Sequence, residues 1–250
     1  THANSQATWR GAGTNPWPTT PYATVADNGC EDCHRPHAAP YPPRLLSNAE
    51  ERSVCLVCHN GNVAGKNLET EFLKPSAHPI MATNWTHEPR EDPYTMPRHV
   101  TCTDCHNPHQ VVGTSATPPG ASGRLRGVRG LNLAGASVTE ATQEYEVCLR
   151  CHGVRDQSTI GIVRGDNTRN IRLKISTSNP SYHPVAAAGR DTTITGFETG
   201  YSSASIIYCT DCHNNDEWTP TGTRPRGPPG SRYAPQTRSS RTVDVVVESD

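Results

Sequence analysis

The sequence is short of the aliphatic and aromatic residues from which protein cores are usually built. Leucine, isoleucine, valine and phenylalanine together number 37 of the 250 residues, or 15%. Such a low fraction accompanies intrinsic disorder when the net charge is high, but the formal charge here is only -1. The chain therefore needs apolar surface from a source other than its own side chains.

Long apolar runs and methionine are also scarce. No stretch approaches the roughly 20 consecutive apolar residues of a membrane-spanning helix, so we expect no membrane span. Met81 and Met96 are the only methionines. The 22 prolines and 20 glycines interrupt the remainder, so long regular elements are not expected.

Cysteine, in contrast, is abundant and strictly patterned. The ten cysteines form five CxxC pairs, and every pair is followed at once by a histidine. With 12 histidines in 250 residues, chance would place one after a given pair about once in twenty. The pairs are Cys30 and Cys33, Cys55 and Cys58, Cys102 and Cys105, Cys148 and Cys151, and Cys209 and Cys212, followed by His34, His59, His106, His152 and His213.

Four kinds of chemistry use paired cysteines: zinc sites, disulfides, redox dithiols and covalently attached haem. Zinc and thioredoxin-like sites do not require histidine at one fixed offset, and structural disulfides do not need it at all. C-type haem does require it, because two thioethers hold the porphyrin edge while the adjacent histidine binds the iron. The pattern predicts five c-type haems (haem c) that also form the core of the protein.

The cellular compartment follows from this prediction. Thioether attachment occurs outside the cytoplasm, so we expect an exported protein in the extracellular space or, alternatively, the periplasm. No charged-then-apolar leader precedes Thr1, so we expect the signal peptide to have been removed.

The basic residues are mostly arginine, which supplies 20 of the 23. The guanidinium groups suit haem propionates as partners, although a GC-rich genome explains the bias equally well.

The motifs form an internal repeat. The ranges 30–80 and 102–185 each read CxxCHxPH, then CLxCH, then His-Pro, and a partial copy begins at 209. We expect one pentahaem domain over 1–213, followed by an extended tail over 214–250 with a strand-like "VDVVV". Capping boxes at Ser47…Glu50 and Ser137…Glu140 predict helices that carry the second and fourth motifs to Gly61 and Gly153. The other motifs are expected in turns. A separate small β-hairpin is expected at 159–177, within a mostly irregular, loop-rich, haem-cored fold with a few short helices.

Seven histidines outside the motifs could supply the second axial ligand of each iron. Five such ligands complete five bis-histidine haems, and the two methionines could serve two haems at most. A histidine three residues beyond a proximal ligand cannot reach around its own haem, so His37 and His109 must each serve a different haem. The distal ligands expected first are His37, His78, His109 and His183, and the further candidates are His2, His87 and His99.

The tandem CxxCHxPH, CLxCH and His-Pro motifs resemble the doubled-CxxCH class of multihaem cytochromes. The whole layout, with His2 near the start, looks like the extracellular cytochrome filaments known as microbial nanowires. The motif similarity covers 30–213, and the chain departs from better-known members by its five motifs and long tail. The resemblance implies haems stacked along a continuous chain and a histidine donated to the neighbouring subunit, with His37 and His2 as the plausible donors.

Three functions compete at this point. The first is a protomer of a conductive filament, with identical subunits joined head to tail in a helical polymer. The filament would pass electrons to other redox proteins or to extracellular electron acceptors. The second is a monomeric periplasmic pentahaem shuttle that docks transiently to a terminal reductase. The third is a multihaem oxidoreductase, which would need an open iron position and distinctive flanking residues. All five motifs are plain CxxCH, so an electron carrier without a catalytic site is expected, with no nucleic-acid partner.

Overall fold

Short helices, turns and two-residue strands provide the regular structure. The computed structural model describes residues 2–12, 14–15, 22–37, 39, 41, 44–82, 88, 90–97, 99–154, 170–197, 199–217 and 226–233. Within these residues the α-helices are α1 (Val25–Asn28), α2 (Glu51–His59), α3 (Glu69–Phe72), α4 (Cys102–Cys105), α5 (Glu144–His152), α6 (Ile171–Lys174) and α7 (Cys209–Cys212). The strands are β1 (Ser76–Ala77), β2 (Gly130–Leu131), β3 (Ser137–Val138) and β4 (Gly230–Ser231), and 3₁₀ turns span His2–Asn4, Gly29–Asp32, Ile80–Ala82 and Gly123–Leu125. The loop-rich class expected from the sequence is confirmed, whereas the haem core stays a prediction.

The contacts among the described residues divide the chain into two compact units. The first unit comprises the described parts of Thr1–Glu88, Arg98–Asp104 and His213–Ser239. The second comprises the described parts of Pro89–Pro97 and Cys105–Cys212. No helix in the described ranges combines the length and the apolar character that crossing a bilayer requires.

The two longest helices carry the second and fourth motifs, as predicted. Helix α2 buries Val54 and Leu56, and α5 buries Val147 and Leu149. Helix α2 ends two residues before Gly61, whose φ of +98° favours a residue without a side chain. Both helices thus end at the histidine of their motif.

The predicted capping boxes are wrong at both helices. Glu50, not Ser47, precedes the first turn of α2 and makes no side-chain cap, and Ser137 lies in strand β3. The first turn of α5 is instead closed by Glu146, whose carboxylate accepts the backbone N–H groups of Thr142 at 2.8 Å and Gln143 at 3.1 Å. Glu146 lies in the first turn of α5 and reaches its exposed N–H groups, whereas Ser137 lies upstream in β3.

The first, third and fifth motifs lie on single helical turns rather than in irregular turns. Helices α4 and α7 consist of the CTDC sequences alone, and the first motif begins in a 3₁₀ turn. In α4 and α7 the aspartate accepts the backbone N–H of the residue before the first cysteine: Asp104 from Thr101 at 2.7 Å and Asp211 from Tyr208 at 2.9 Å. This local cap allows a one-turn helix to persist without a longer lead-in.

The small sheets differ from the expected hairpin. Residues 159–169 of the predicted hairpin lie outside the described residues, and Ile171–Lys174 in its described part form helix α6 instead of a strand. A two-stranded hairpin occurs elsewhere, where β2 pairs with β3 across a short turn. The hairpin at 159–177 is therefore wrong as far as it is described.

Apolar packing occurs in small clusters. The largest, in the second unit, joins Leu131, Leu149, Ile175, Val185 and Ile207. The cluster in the first unit has two buried members, Val25 and Val63. Clusters of this size match the apolar deficit of the sequence and bury little surface by themselves.

Arginine side chains tie down many of the loops. Guanidinium groups donate to loop carbonyls, which stabilises irregular backbone. The arginines that do so include Arg10, Arg35, Arg172 and Arg190. This role adds to the propionate pairing expected from the sequence, which stays a prediction.

A segment that follows the last motif packs onto the first unit. We call residues 226–233 the strap. Strand β4 of the strap pairs antiparallel with β1, with Ser76 opposite Ser231 and Ala77 opposite Gly230. The division into one domain and a tail stays a prediction, and the "VDVVV" sequence lies outside the described residues.

A buried polar cluster lies beside the strap. The Lys74 ammonium contacts Glu71 at 2.6 Å and Asp216 at 2.7 Å, and both carboxylates are fully buried. Burial acts to raise the pKa of Asp216, but hydrogen bonds from Lys74 and Arg232 outweigh burial, so the pKa lies below its ordinary value. Removing one partner would leave an uncompensated charge, which is far more costly than losing an exposed ion pair.

We expect the substitution Gly230→Ala to loosen the strap. A Cβ atom at this position would overlap the backbone carbonyl of Glu71, so the strand pair must shift. The overlap should lower the free energy of unfolding by about 1–3 kcal/mol, measured by chemical denaturation, and should speed proteolysis within the strap. Gly65→Ala is the matched control, because a Cβ there meets nothing within 4 Å. Equal stability of the two variants would contradict the prediction.

Candidate haem-attachment sites

Four of the five cysteine pairs lie on α-helical turns. Helices α2 and α5 end in their motifs, while α4 and α7 are formed by theirs. Residues three apart on a helix lie on the same face, so the two sulfurs of a pair are neighbours. None of the ten cysteines forms a disulfide in the structure. The sulfurs are thiols that stand where the thioether sulfurs of an attached haem would be.

The structure describes every cysteine of the five predicted attachment sites. In the fourth motif, Cys148 and Cys151 both lie within α5, and Cys151 directly precedes the last residue of that helix. The first cysteine of the chain, Cys30, is exposed, and the other nine are half-buried: Cys33, Cys55, Cys58, Cys102, Cys105, Cys148, Cys151, Cys209 and Cys212. Attachment of haem at these ten sulfurs stays a prediction, Cys151 included.

The surroundings of Cys33 and Cys58 favour the protonated thiol over the thiolate. Burial, with help from Asp32 and Cys33, raises the pKa of Cys58 to about 11. Burial, aided by Asp32, also raises the pKa of Cys33. Catalytic dithiols and zinc ligands need the opposite shift, because the thiolate is the reactive form. Among the described residues, no group of three or more metal-binding side chains is arranged around a common point.

Backbone carbonyls orient the histidines of two motifs. The Nδ1 atom of His34 lies 2.8 Å from the carbonyl oxygen of Arg44, and that of His106 lies 3.0 Å from the carbonyl oxygen of Arg124. A carbonyl only accepts, so Nδ1 carries the proton and Nε2 keeps its lone pair for a metal. This arrangement is typical of metal-binding histidines, and it fits a proximal role for His34 and His106.

The histidines of the fourth and fifth motifs are exposed. His152 is the last residue of α5, and His213 follows α7 directly. Their position after the helical turn matches that of His59 at the end of α2. A proximal role for His59, His152 and His213 stays a prediction.

One predicted distal ligand has the same carbonyl contact as His34 and His106. The Nδ1 atom of His78 lies 3.0 Å from the carbonyl oxygen of Pro228 in the strap. The loop around His78 is fixed by a tight turn in which Ile80 N–H donates to the His78 carbonyl at 2.8 Å. The second unit repeats this turn, since Val185 N–H donates to the His183 carbonyl at 2.8 Å. His78 and His183 are therefore held by equivalent turns, and their role as ligands stays a prediction.

The other candidate ligands occupy varied positions. His37 and His109 are exposed. His99 is buried, with Nε2 4.0 Å from a carboxylate oxygen of Asp104. His2 lies next to the motif histidine His59, and His87 lies outside the described residues.

The first cysteines of neighbouring motifs contact each other. In the first unit a hydrogen bond with Cys102, together with burial, raises the pKa of the Cys55 thiol well above its ordinary value. In the second unit a hydrogen bond with Cys209, followed by burial, does the same to the pKa of Cys148. The attachment points of the second and third motifs therefore lie together, as do those of the fourth and fifth.

Two buried glutamates hold these contacts in place. Glu51, the first residue of α2, accepts the backbone N–H of Thr103 at 2.9 Å and its hydroxyl at 2.8 Å. Glu144, the first residue of α5, accepts the hydroxyl of Thr210 at 2.5 Å. Both glutamates are buried. We call each pair a glutamate clasp: Glu51 with Thr103, and Glu144 with Thr210.

Sequence reasoning missed the clasps and the role of Pro228. A signal for the clasps was present, because a glutamate stands four residues before the first cysteine in both "ERSVC" and "EYEVC". Both partner turns also read CTDC. Pro228 had no such signal, since its carbonyl is used through the backbone and lies far along the chain from His78.

Comparison with known proteins agrees with the motif chemistry. Residues 23–64 match the family model of the doubled CXXCH motif, which indicates covalently bound haem c. Multiheme cytochrome MtrA of Shewanella baltica (strain OS185) is 36% identical over 84 residues, which is 34% of this chain and 18% of that protein. These findings support a multihaem c-type cytochrome. The chain spans less than a fifth of the length of this curated relative, and no solved structure is significantly similar to this chain.

We expect Glu51→Ala to open the clasp of the first unit. The substitution leaves the N–H and the hydroxyl of Thr103 without their acceptor, which should cost about 1–3 kcal/mol of unfolding free energy. Thr103→Val should cost less, because the backbone N–H keeps its bond to Glu51. Chemical denaturation and redox titration of the cytochrome would measure both effects. Glu144→Ala is the parallel variant in the second unit, and a Glu51→Ala protein with unchanged stability and potentials would contradict this role.

Proposed function

We propose that the cytochrome carries electrons, one at a time, through five c-type haems. Bound haem supplies a one-electron iron couple whose potential depends on axial ligands, hydrogen bonds and burial. The observation that carries the proposal is the contact between cysteines of successive motifs. Groups that exchange electrons directly must be neighbours, and these contacts make the attachment points neighbours.

The contacts follow the order of the motifs. In the first unit a hydrogen bond with Cys102 contributes most to the raised pKa of Cys55, and the thiol of Cys33 adds the smallest contribution. In the second unit a hydrogen bond with Cys209 contributes most to the raised pKa of Cys148, and the thiol of Cys105 adds the smallest contribution. The first three motifs are thus neighbours in turn, and so are the last three. This order supports a single relay that runs from the first haem to the fifth.

The protein's own side chains would position the relay and adjust it. Five cysteine pairs would hold the rings, and the histidine after each pair would bind the iron. Carbonyl groups would keep the imidazoles of His34, His106 and His78 in the tautomer with the proton on Nδ1 and a lone pair on Nε2. The clasps would keep neighbouring attachment points together. No side chain is assigned a bond-making or bond-breaking step.

The finer proposal is a protomer of an extracellular filament. Open, head-to-tail assembly joins two different surfaces of the subunit, and an exposed metal-binding side chain on one of them could complete a site on the other. His37 is exposed and lies three residues beyond a proximal histidine, a position from which it must serve another haem. We propose that identical subunits join in a helical polymer through this histidine. The resemblance of the motif layout to cytochrome filaments supports the same assembly.

A monomeric periplasmic shuttle is the second candidate. The strap favours it, because this part of the chain after the last motif pairs with β1 of its own chain. Both candidates place the cytochrome outside the cytoplasm and give it other redox proteins as partners. They differ in whether one axial ligand comes from another subunit.

The relay requires five haems per chain, all six-coordinate. We expect a pyridine haemochrome assay to give five haems per polypeptide, since each of the five motifs is complete. Electron paramagnetic resonance of the oxidised protein should show low-spin iron throughout. Fewer than five haems would contradict the relay. A stoichiometric high-spin signal would instead indicate an open iron position and favour an enzyme.

Assembly should depend on His37. We expect the secreted wild-type protein to form filaments in cryo-electron microscopy, and His37→Ala to remain monomeric by light scattering with one high-spin haem. His109→Ala is the matched control from the second repeat, because it should alter the spin state of one haem without preventing assembly. Wild-type protein that is monodisperse, with five low-spin haems, would overturn the filament and leave the shuttle.

A further inference from the structure

The imidazole rings of His2 and His59 lie close together, in an edge-to-face arrangement, at the second motif. Their centroids are 6.1 Å apart and their planes are perpendicular. His59 ends helix α2 and follows Cys58 directly. His2 begins a short 3₁₀ turn near the start of the chain. His2 thus lies beside His59, the histidine that is expected to bind iron in the second motif, although the two residues are far apart in the sequence.

This separation matches two ligands of one metal ion. Imidazole nitrogens bind metal ions at about 2 Å, so imidazoles on opposite sides of one ion have centroids roughly 6 Å apart. Perpendicular rings also pack edge to face at roughly 4.5–7 Å without any metal, so the distance alone is not decisive. The contacts of the segment that carries His2 distinguish the two readings.

The N-terminal segment is fixed on one side by α1. The backbone carbonyl of Ser5 accepts Ala26 N–H at 2.9 Å, and that of Ala7 accepts Val25 N–H at 3.0 Å. Thr8 forms an antiparallel bridge with Thr24. These bonds tie down the residues directly after the His2 turn.

The same segment is fixed on its other side by the loop after α2. Arg10 N–H donates to the Asn62 carbonyl at 2.6 Å, and the Arg10 guanidinium donates to the Val63 carbonyl at 2.5 Å. Trp9 packs on the small cluster formed by Val25 and Val63, which also includes Cys58. The segment therefore joins α1 to the end of α2, where His59 lies. Edge-to-face packing of two rings does not need a scaffold of this extent.

We propose that His2 and His59 are the two axial ligands of the haem attached at Cys55 and Cys58, within one chain. This inference rests on the proposed function, since it requires haem at the second motif. Its consequence is that His2 is occupied inside its own subunit. Of the two histidines that could be donated to a neighbour, only His37 then remains.

The test is the spin state of dilute, monomeric cytochrome with and without His2. We expect His2→Ala to show one more high-spin haem per chain than wild-type protein at the same dilution in electron paramagnetic resonance, because a haem that lacks a neighbour's ligand is high-spin in both. After reduction, the variant should bind one more carbon monoxide per chain than wild type. His2→Met should restore a six-coordinate low-spin haem, with a higher potential because thioether ligation favours the reduced iron. Asn4→Ala, in the same turn, is the matched control and should behave as wild type.

A second variant tests the scaffold. Trp9→Ala should loosen the segment and give a partial high-spin signal at the same haem, while Trp9→Phe should give less. If His2→Ala keeps as many low-spin haems as wild-type protein at the same dilution, and both carry five haems, the inference is overturned while the relay stands. If the wild-type protein carries fewer than five haems, the relay itself fails. If dilution alone makes one wild-type haem high-spin and His2→Ala adds no further change, the ligand comes from another chain and the inference is likewise overturned.

Discussion

The hydrogen bonds between a buried glutamate and the next CTDC turn are the contacts on which the arrangement of motifs depends. In each unit a nine-residue helix presents a glutamate at its first position and a haem motif at its last turns. The glutamate binds the threonine between the cysteines of the following motif, so one helix fixes two attachment points. Glu51 and Glu144 are both buried, and a buried carboxylate is tolerated only where its charge is bonded. The clasps therefore fix the spacing between successive motifs even where regular structure is sparse.

Hydrogen bonds to side chains hold the irregular backbone where apolar packing is sparse. The apolar clusters are small, and many loop carbonyls are bound by arginine side chains instead of by neighbouring strands. Carbonyl groups also set the direction of three imidazoles, His34, His78 and His106. Irregular backbone has an advantage here, because its carbonyls are free to meet a histidine Nδ1. A helix or a sheet would have used the same carbonyls for its own hydrogen bonds.

The motif helices could be predicted from the sequence, because each of the two motifs stands at the end of a segment with helix formers and a terminal glycine. The loop-rich class followed equally well from proline, glycine and the shortage of apolar residues. The capping boxes at Ser47 and Ser137 were wrong because competing local contacts took over: Glu146 closes α5, and Ser137 entered a strand. The clasps and the bond from His78 to Pro228 join residues far apart in sequence, so no local pattern could reveal them. The pairing of His2 with His59 was beyond reach for the same reason.

The strap also determines the order in which the first unit can be completed. His78 and Pro228 are 150 positions apart, whereas each motif helix needs only its own residues. Contacts between distant segments form late, because the entropy of closing a long loop must be lost before they contribute. We therefore expect the motif helices to form before the strap closes on His78, so that the strap covers a region whose local structure is already in place.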